Sequence, residues 1–242
     1  MRSIRIFQEG PFEAGQITSL TPEAGQHVGV VLRMQPDDTL ILFCGDNHEY
    51  QARITEVHKK RVTVIITAVS FVNRESPRAI HLAQAISKGD RMEWVIQKAV
   101  ELGVARITPL ITAHCAVRLD DARLIKKQLQ WQAIAVAACE QCGRNKVPMI
   151  APTVQFDPFI QHCQSPLKLI LHPTASMSWH NMPSSEGEVT LLIGPEGGLS
   201  NDEIKRAEAQ QFNVLLLGPR ILRTETAAIA ALSILQARLG DL

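Results

Sequence analysis

Two segments place glycine and proline directly after a short apolar run. The first is Leu191-Leu-Ile-Gly194-Pro-Glu196-Gly197-Gly198-Leu-Ser200. The second is Leu215-Leu-Leu-Gly218-Pro-Arg220-Ile-Leu-Arg223-Thr224-Glu225-Thr226. A third run ends similarly at Leu171-His172-Pro173. In open α/β sheets, ligands bind beyond the carboxyl ends of the strands. Glycine there lets main-chain N–H and C=O groups approach a ligand closely. Three such loops make one pocket lined with backbone polar groups, suited to a nucleoside-like cofactor. The alternative is a set of tight turns that hold nothing. The first loop lacks the Lys-Ser/Thr of a P-loop and is not a G-x-G-x-x-G turn. Ser200 is not in G-x-S-x-G, so a hydrolase is not favoured. Cys139-Glu-Gln-Cys142 has no second cysteine pair, and zinc sites need about four ligands. Cys139 is therefore read as a buried small residue, and no metal is expected. Among the eight histidines, His27 and His172 each sit beside a proposed functional segment.

Alternating strands and helices must position these loops. Ala79–Ala85 reads as an apolar strand, Arg106–Ile111 and Val214–Leu217 as strands, and Leu167–Leu171 and Glu188–Ile193 as buried strands. Lys88–Leu102, Asp120–Cys142, Asn201–Gln211 and Thr224–Leu239 read as helices. Ser200 caps the third of these, with Glu203 placed to complete a capping box. Such alternation implies a mostly parallel sheet covered on both faces. The first 70 residues differ. Arg2–Phe7, Thr39–Cys44, Glu49–Val57 and Arg61–Val72 are strand-like, with turns at Gly45-Asp-Asn47 and His58-Lys-Lys60. This spacing predicts hairpins in a small barrel. Thr21-Pro22-Glu23 opens a helix running to about Leu32. The domains expected are residues 1–72 and 73–242.

Of 242 residues, 45% are hydrophobic and 20% charged, an ordinary globular balance. No apolar run reaches the roughly 18 residues of a membrane span. The start lacks the apolar core of a signal peptide. The five scattered cysteines make no disulfide framework, so a reduced, cytoplasmic protein is the default. The net charge of +1 hides a distribution: −1 over residues 1–73, +5 over 74–150 and −3 over 151–242. Either the basic middle binds a polyanion or it is a solvated face.

The chain resembles the RsmE family of ribosomal RNA methyltransferases, within the SPOUT class. The resemblance rests on Gly194-Pro-Glu-Gly-Gly198 and on Leu217-Gly-Pro-Arg-Ile-Leu-Arg-Thr-Glu-Thr-Ala227. It extends to Lys88–Gly103, to Glu140-Gln-Cys-Gly-Arg144, to Val147-Pro148, and to His27 with Val31-Leu-Arg33. Pro36-Asp-Asp38 departs from the usual Gly-Asp turn. The resemblance implies a PUA-like barrel joined to an α/β domain with a deep trefoil knot. It also implies homodimers, S-adenosyl-L-methionine as methyl donor, and N3 of one uridine in the decoding region of 16S ribosomal RNA as acceptor. Cofactor contacts are then expected from Leu171, His172, Gly194, Gly197, Leu217, Gly218, Ile221 and Leu222, with Thr226 close by.

Uracil N3 carries a proton at neutral pH, so the enzyme must take that proton or stabilise the anion. Arg223 is placed to stabilise a developing oxyanion, unless it is a clamp paired with Glu225. Glu225 and Glu196 are candidate bases. Arg33, Lys88, Arg91 and Arg144 are candidate phosphate contacts. Two alternatives stay open at this point: methylation of a ribose 2′-oxygen, and a non-catalytic RNA-binding assembly factor.

Overall fold

The structure is a computed structural model and describes residues 3–59, 61–116, 120–183 and 185–242. Arg2 and Lys60, which the sequence places in a strand and a turn, lie outside the described residues. Contacts divide the chain into two units.

The first unit holds residues 1–75 together with Cys139–Val147. Its elements are β1 (Arg5–Phe7), β2 (Ile17–Ser19), α1 (Pro22–Gln26), β3 (Thr39–Phe43), β4 (His48–His58) and β5 (Arg61–Phe71). They form one five-stranded sheet in the order β1-β3-β4-β5-β2, parallel only between β1 and β3. Inward positions alternate as the pleat requires: Tyr50, Ala52 and Ile54 on β4 face Val62, Val64 and Ile66 on β5 in one core. Thr21 caps α1 by accepting the Ala24 N–H, as its sequence position implies. The helix does not run on regularly to Leu32. It widens into a π-helical turn over His27–Val31, where a Cβ at Gly29 would meet the Lys59 carbonyl at 3.1 Å.

The expected boundary at 72/73 makes each domain continuous, whereas these contacts bring Cys139–Val147 into the first unit. The bonds responsible are specific. Phe7 N–H donates to Glu140 Oε1 at 3.0 Å, and Asn145 donates to the Val72 carbonyl at 2.7 Å. Arg144 pairs with Glu75. Cys139 is fully buried, and burial pushes its thiol up to about 12.

The second unit holds Ser76–Ala138 and Pro148–Leu242. Its order is β6 (Ile80–Ala85), α2 (Arg91–Glu101), β7 (Arg106–Ile111), α3 (Asp121–Cys142), β8 (Met149–Ile150), β9 (Val154–Gln155), α4 (Phe156–His162), β10 (Leu167–Leu171), β11 (Met177–Ser178), β12 (Val189–Ile193), α5 (Asn201–Ala209), β13 (Asn213–Leu216) and α6 (Thr224–Leu239). The end of α3 belongs to the first unit. The sheet runs β11-β13-β10-β12-β6-β7-β8, with β9 also on β7, and its pairings are all parallel. Every residue of β6 and β12 is buried, as expected of central parallel strands. Ser200 and Glu203 form the full capping box of α5. Buried Gln236 fixes the far end of α6, donating to the Leu102 carbonyl at 2.6 Å and accepting from Ser76 at 2.7 Å. No helix of the described residues is long and apolar enough to cross a membrane.

Candidate functional site

The strand order sets β13, β10 and β12 side by side, so their carboxyl ends adjoin. The three loops leaving Leu171, Ile193 and Leu216 therefore line one cavity of about 520 Å³. That size lies within the roughly 300–1,000 Å³ usual for small-ligand sites. Leu171, His172, Gly194, Gly197, Leu217, Gly218, Ile221, Leu222, Arg223 and Glu225 all line it, together with Arg91 and Glu196. Thr226 does not; it lies exposed on the first turn of α6.

The glycines serve the loops in different ways. Gly218 has φ +150°, a backbone geometry that side-chain-bearing residues avoid, and a Cβ there would meet nothing. Gly194 is required by packing inside its own loop. A Cβ there would lie 3.0 Å from Leu199 Cγ and 3.3 Å from its amide nitrogen. Close approach to a ligand is thus not the first reason for that glycine.

Polar side chains hold the loops. Gln84, fully buried on β6, donates through Nε2 to Thr224 Oγ1 at 3.0 Å. Thr224 in turn donates to the Gly194 carbonyl at 2.7 Å. This chain of bonds fixes the first loop to the start of α6. His114 Nδ1 bonds the Gly197 and Gly198 carbonyls at 3.1 and 3.2 Å. The sequence reading missed Gln84, His114 and the pinning role of Thr224. One signal was available for Gln84: a polar residue inside a strand predicted to be apolar.

The acids and bases of the pocket are arranged unevenly. Glu196 Oε1 accepts the Lys88 backbone N–H at 2.9 Å and an Arg91 Nη1 bond at 2.7 Å. Burial pushes the Glu196 carboxyl up. Its own backbone N–H, that of Lys88, and the Arg91 guanidinium outweigh this and hold it below the usual carboxylate range. Glu225 Oε1 lies 3.8 Å from Arg91 Nε, and Glu225 Oε2 is buried without a hydrogen-bond partner. Arg223 is exposed at the N-cap of α6 and makes no ion pair with Glu225 among the described residues. The clamp reading of Arg223 therefore fails. His172 is held locally, its Nδ1 2.9 Å from Thr174 Oγ1.

The candidate phosphate contacts separate. Lys88 and Arg33 are exposed, the latter at φ +54° beyond the π-helical turn. Arg91 is in the pocket, engaged by acids. Arg144 is a correction: it is 5% exposed and its guanidinium pairs with Glu75, so its charge is used inside the first unit.

A protein-family model described as an RNA methyltransferase domain matches residues 74–236. A second, an RNA methyltransferase PUA domain, matches residues 20–67. The ribosomal RNA small subunit methyltransferase E of Buchnera aphidicola subsp. Schizaphis graminum is 38% identical over 98% of this chain and 97% of its own length. The Bacillus subtilis protein of that name is 34% identical over 89% of this chain and 88% of its own. The Neisseria gonorrhoeae protein of that name, solved with bound S-adenosyl methionine, superposes with a TM-score of 0.93 at 35% identity over the whole of both chains. A Legionella pneumophila structure solved with the cofactor SAM bound is 56% identical, with a TM-score of 0.98 over the whole of both chains. On the family model and the near full-length identity together, this chain belongs to the ribosomal RNA small subunit methyltransferase E family.

Proposed function

We propose that this chain uses S-adenosyl-L-methionine to methylate N3 of one uridine in the decoding region of 16S ribosomal RNA. The observation that carries this is the pocket at three adjacent strand ends, in a chain whose relatives are named for small-subunit ribosomal RNA methylation. The residues present fit the cofactor. Leu171, Leu217 and Leu222 offer apolar surface for adenine, and the glycine loops bring backbone polar groups to the same cavity. Leu171, His172, Gly194, Gly197, Leu217, Gly218, Ile221 and Leu222 would hold it, with Thr226 close by. When bound, it supplies a methyl group already activated on a positively charged sulfur.

The protein's task is then at the acceptor. Uracil N3 lies on the pairing edge, so the base must enter unpaired or flipped. Glu225, with one carboxylate oxygen unsatisfied in the pocket wall, takes the N3 proton. Arg223, uncommitted to Glu225, stabilises the charge that develops on the uracil oxygens. Exposed Lys88 and Arg33 neutralise RNA phosphates. The PUA match supports reading the first unit as a PUA-like barrel. We also read the second unit as a SPOUT domain with a deep trefoil knot, the chain as a homodimer, and its location as cytoplasmic. These three readings rest on the family resemblance.

The test is incubation with 16S ribosomal RNA or small subunits and the methyl donor, then nuclease digestion and mass spectrometry. The expected product is 3-methyluridine. A 2′-O-methyl nucleoside would support the ribose reading, and no methylation the assembly-factor reading.

A further inference from the structure

Arg91 opens α2, and its guanidinium lies between two acids from different elements. Nη1 is 2.7 Å from Glu196 Oε1, on the loop after β12. Nε is 3.8 Å from Glu225 Oε1, on the first turn of α6. Glu196 is itself tied to the Lys88 amide, which fixes the lead-in to α2 against that loop. The Glu225 side chain is only 17% exposed. Its Oε2 is buried and has no partner, an arrangement that is costly unless a ligand donor completes it.

We propose that Arg91 is a positioning residue for proton abstraction: it fixes Glu225 through Oε1, leaving Oε2 to receive the N3 proton. This rests on the uridine-N3 reading above. In the step, the N3–H bond breaks and an Oε2–H bond forms. The electron pair stays on N3, and the proton later passes from Glu225 to water. A cation beside one carboxylate oxygen orients the group without blocking the other oxygen. The remaining charged or titratable groups lining the pocket with Glu225 are Glu196 from the loop after β12, Arg220 and Arg223 from the loop after β13, and His172 from the loop after β10. The phosphate role first expected of Arg91 is thereby replaced by one inside the pocket.

The experiment is single-turnover methyl transfer to 16S ribosomal RNA, at limiting and saturating RNA, for the wild type, Arg91→Gln, Arg91→Lys, Glu225→Gln and the double variant. Cofactor and RNA affinities are measured separately. Without the guanidinium, Glu225 loses its contact at Oε1, so the Arg91→Gln chemical step should slow while cofactor and RNA affinities stay near wild type. The single-turnover rate should fall on the order of 10²-fold, the lower range for general-base catalysis. Arg91→Lys should restore part of the rate. In a Glu225→Gln background, Arg91→Gln should cause little further loss, since the group it positions is gone. A rate loss that saturating RNA reverses, together with weakened RNA binding, would make Arg91 a phosphate contact and overturn the proposal. So would a uniform rate loss that follows lost thermal stability. Should Arg91→Gln fail to fold, a Glu225→Gln protein that keeps the wild-type single-turnover rate overturns it independently. Wild-type transfer to a uridine is the control: its absence would sink the uridine reading itself.

Discussion

Thr224 donates to the Gly194 carbonyl and accepts from Gln84, so one hydroxyl joins β6, the first glycine loop and α6. Thr224→Val removes both bonds and leaves buried polar groups unpaired, at roughly 1–3 kcal/mol. The expected outcome is a lower unfolding midpoint together with weaker cofactor binding by calorimetry, with Thr224→Ser close to wild type. Cofactor affinity equal to wild type in folded Thr224→Val would mean the loop holds itself. Arg223 carries a different prediction. Arg223→Ala should lower single-turnover methylation by roughly 10²–10³, the scale for one lost electrostatic group. Cofactor affinity should change little, since the contact strengthens only as charge develops. An Arg223→Ala rate near that of wild type would remove Arg223 from the mechanism. The loops that carry these residues were legible as sequence, because glycine and proline after apolar runs mark strand ends. Their fastening was not. Gln84 and His114 act on residues far along the chain, and no local pattern announces such pairs. Gly194 was legible as a required glycine for a reason that proved different, its packing on Leu199.

The long elements were legible as apolar runs of strand or helix length bounded by polar, glycine or proline residues. Arg106–Ile111, Leu167–Leu171 and Thr224–Leu239 have the bounds read from sequence. The two- and three-residue strands β2, β8, β9 and β11 were not, since such short pieces exist only through their partners. Nor was α4, seven residues containing Pro158, too short to signal itself by period. Its helix is supported by burial of Phe156, Phe159 and Ile160. The capping box was legible from Ser200 and Glu203 alone. Glu203 does more than cap: Oε1 also accepts the Ala113 N–H at 2.8 Å, tying the turn after β7 to α5. Ser200→Ala should therefore lower stability by about 1 kcal/mol, the usual worth of an N-cap, as measured by denaturant unfolding. No change would mean that Glu203 holds the helix start unaided. On the RNA side, Lys88→Ala and Arg33→Ala should each reduce the slope of log affinity against log salt by about 0.7–0.9. An unaltered slope would place that residue away from the phosphates.

At the scale of the molecule, a titrating core links stability to pH. His81 is 3% exposed, bonded to Thr108 at 2.7 Å, and lowered to about 4 by burial first and the Arg106 charge second. Between about pH 6.5 and 4 the unfolded chain binds this proton and the folded chain does not, so stability rises with pH across that window. It is fully present above 6.5 and is lost as pH falls toward 4. His81→Gln should flatten this dependence in denaturant titrations; an equal slope would contradict the assignment. The basic middle of the chain was legible as charge but not as place. Arg144, counted in the +5, is buried against Glu75, while Lys88 is exposed. The return of Cys139–Val147 to the first unit was equally hidden, because it depends on bonds to Phe7, Val72 and Glu75 across long stretches of sequence. The central claim is that the three-loop pocket directs a methyl group to a uracil nitrogen of 16S ribosomal RNA. It is tested most directly by mass spectrometry of that RNA from cells lacking the gene, with and without a wild-type copy. The account predicts one uridine that has lost a methyl group from its base, restored by the wild-type copy. An unchanged RNA, or a methyl group lost from ribose, would contradict it.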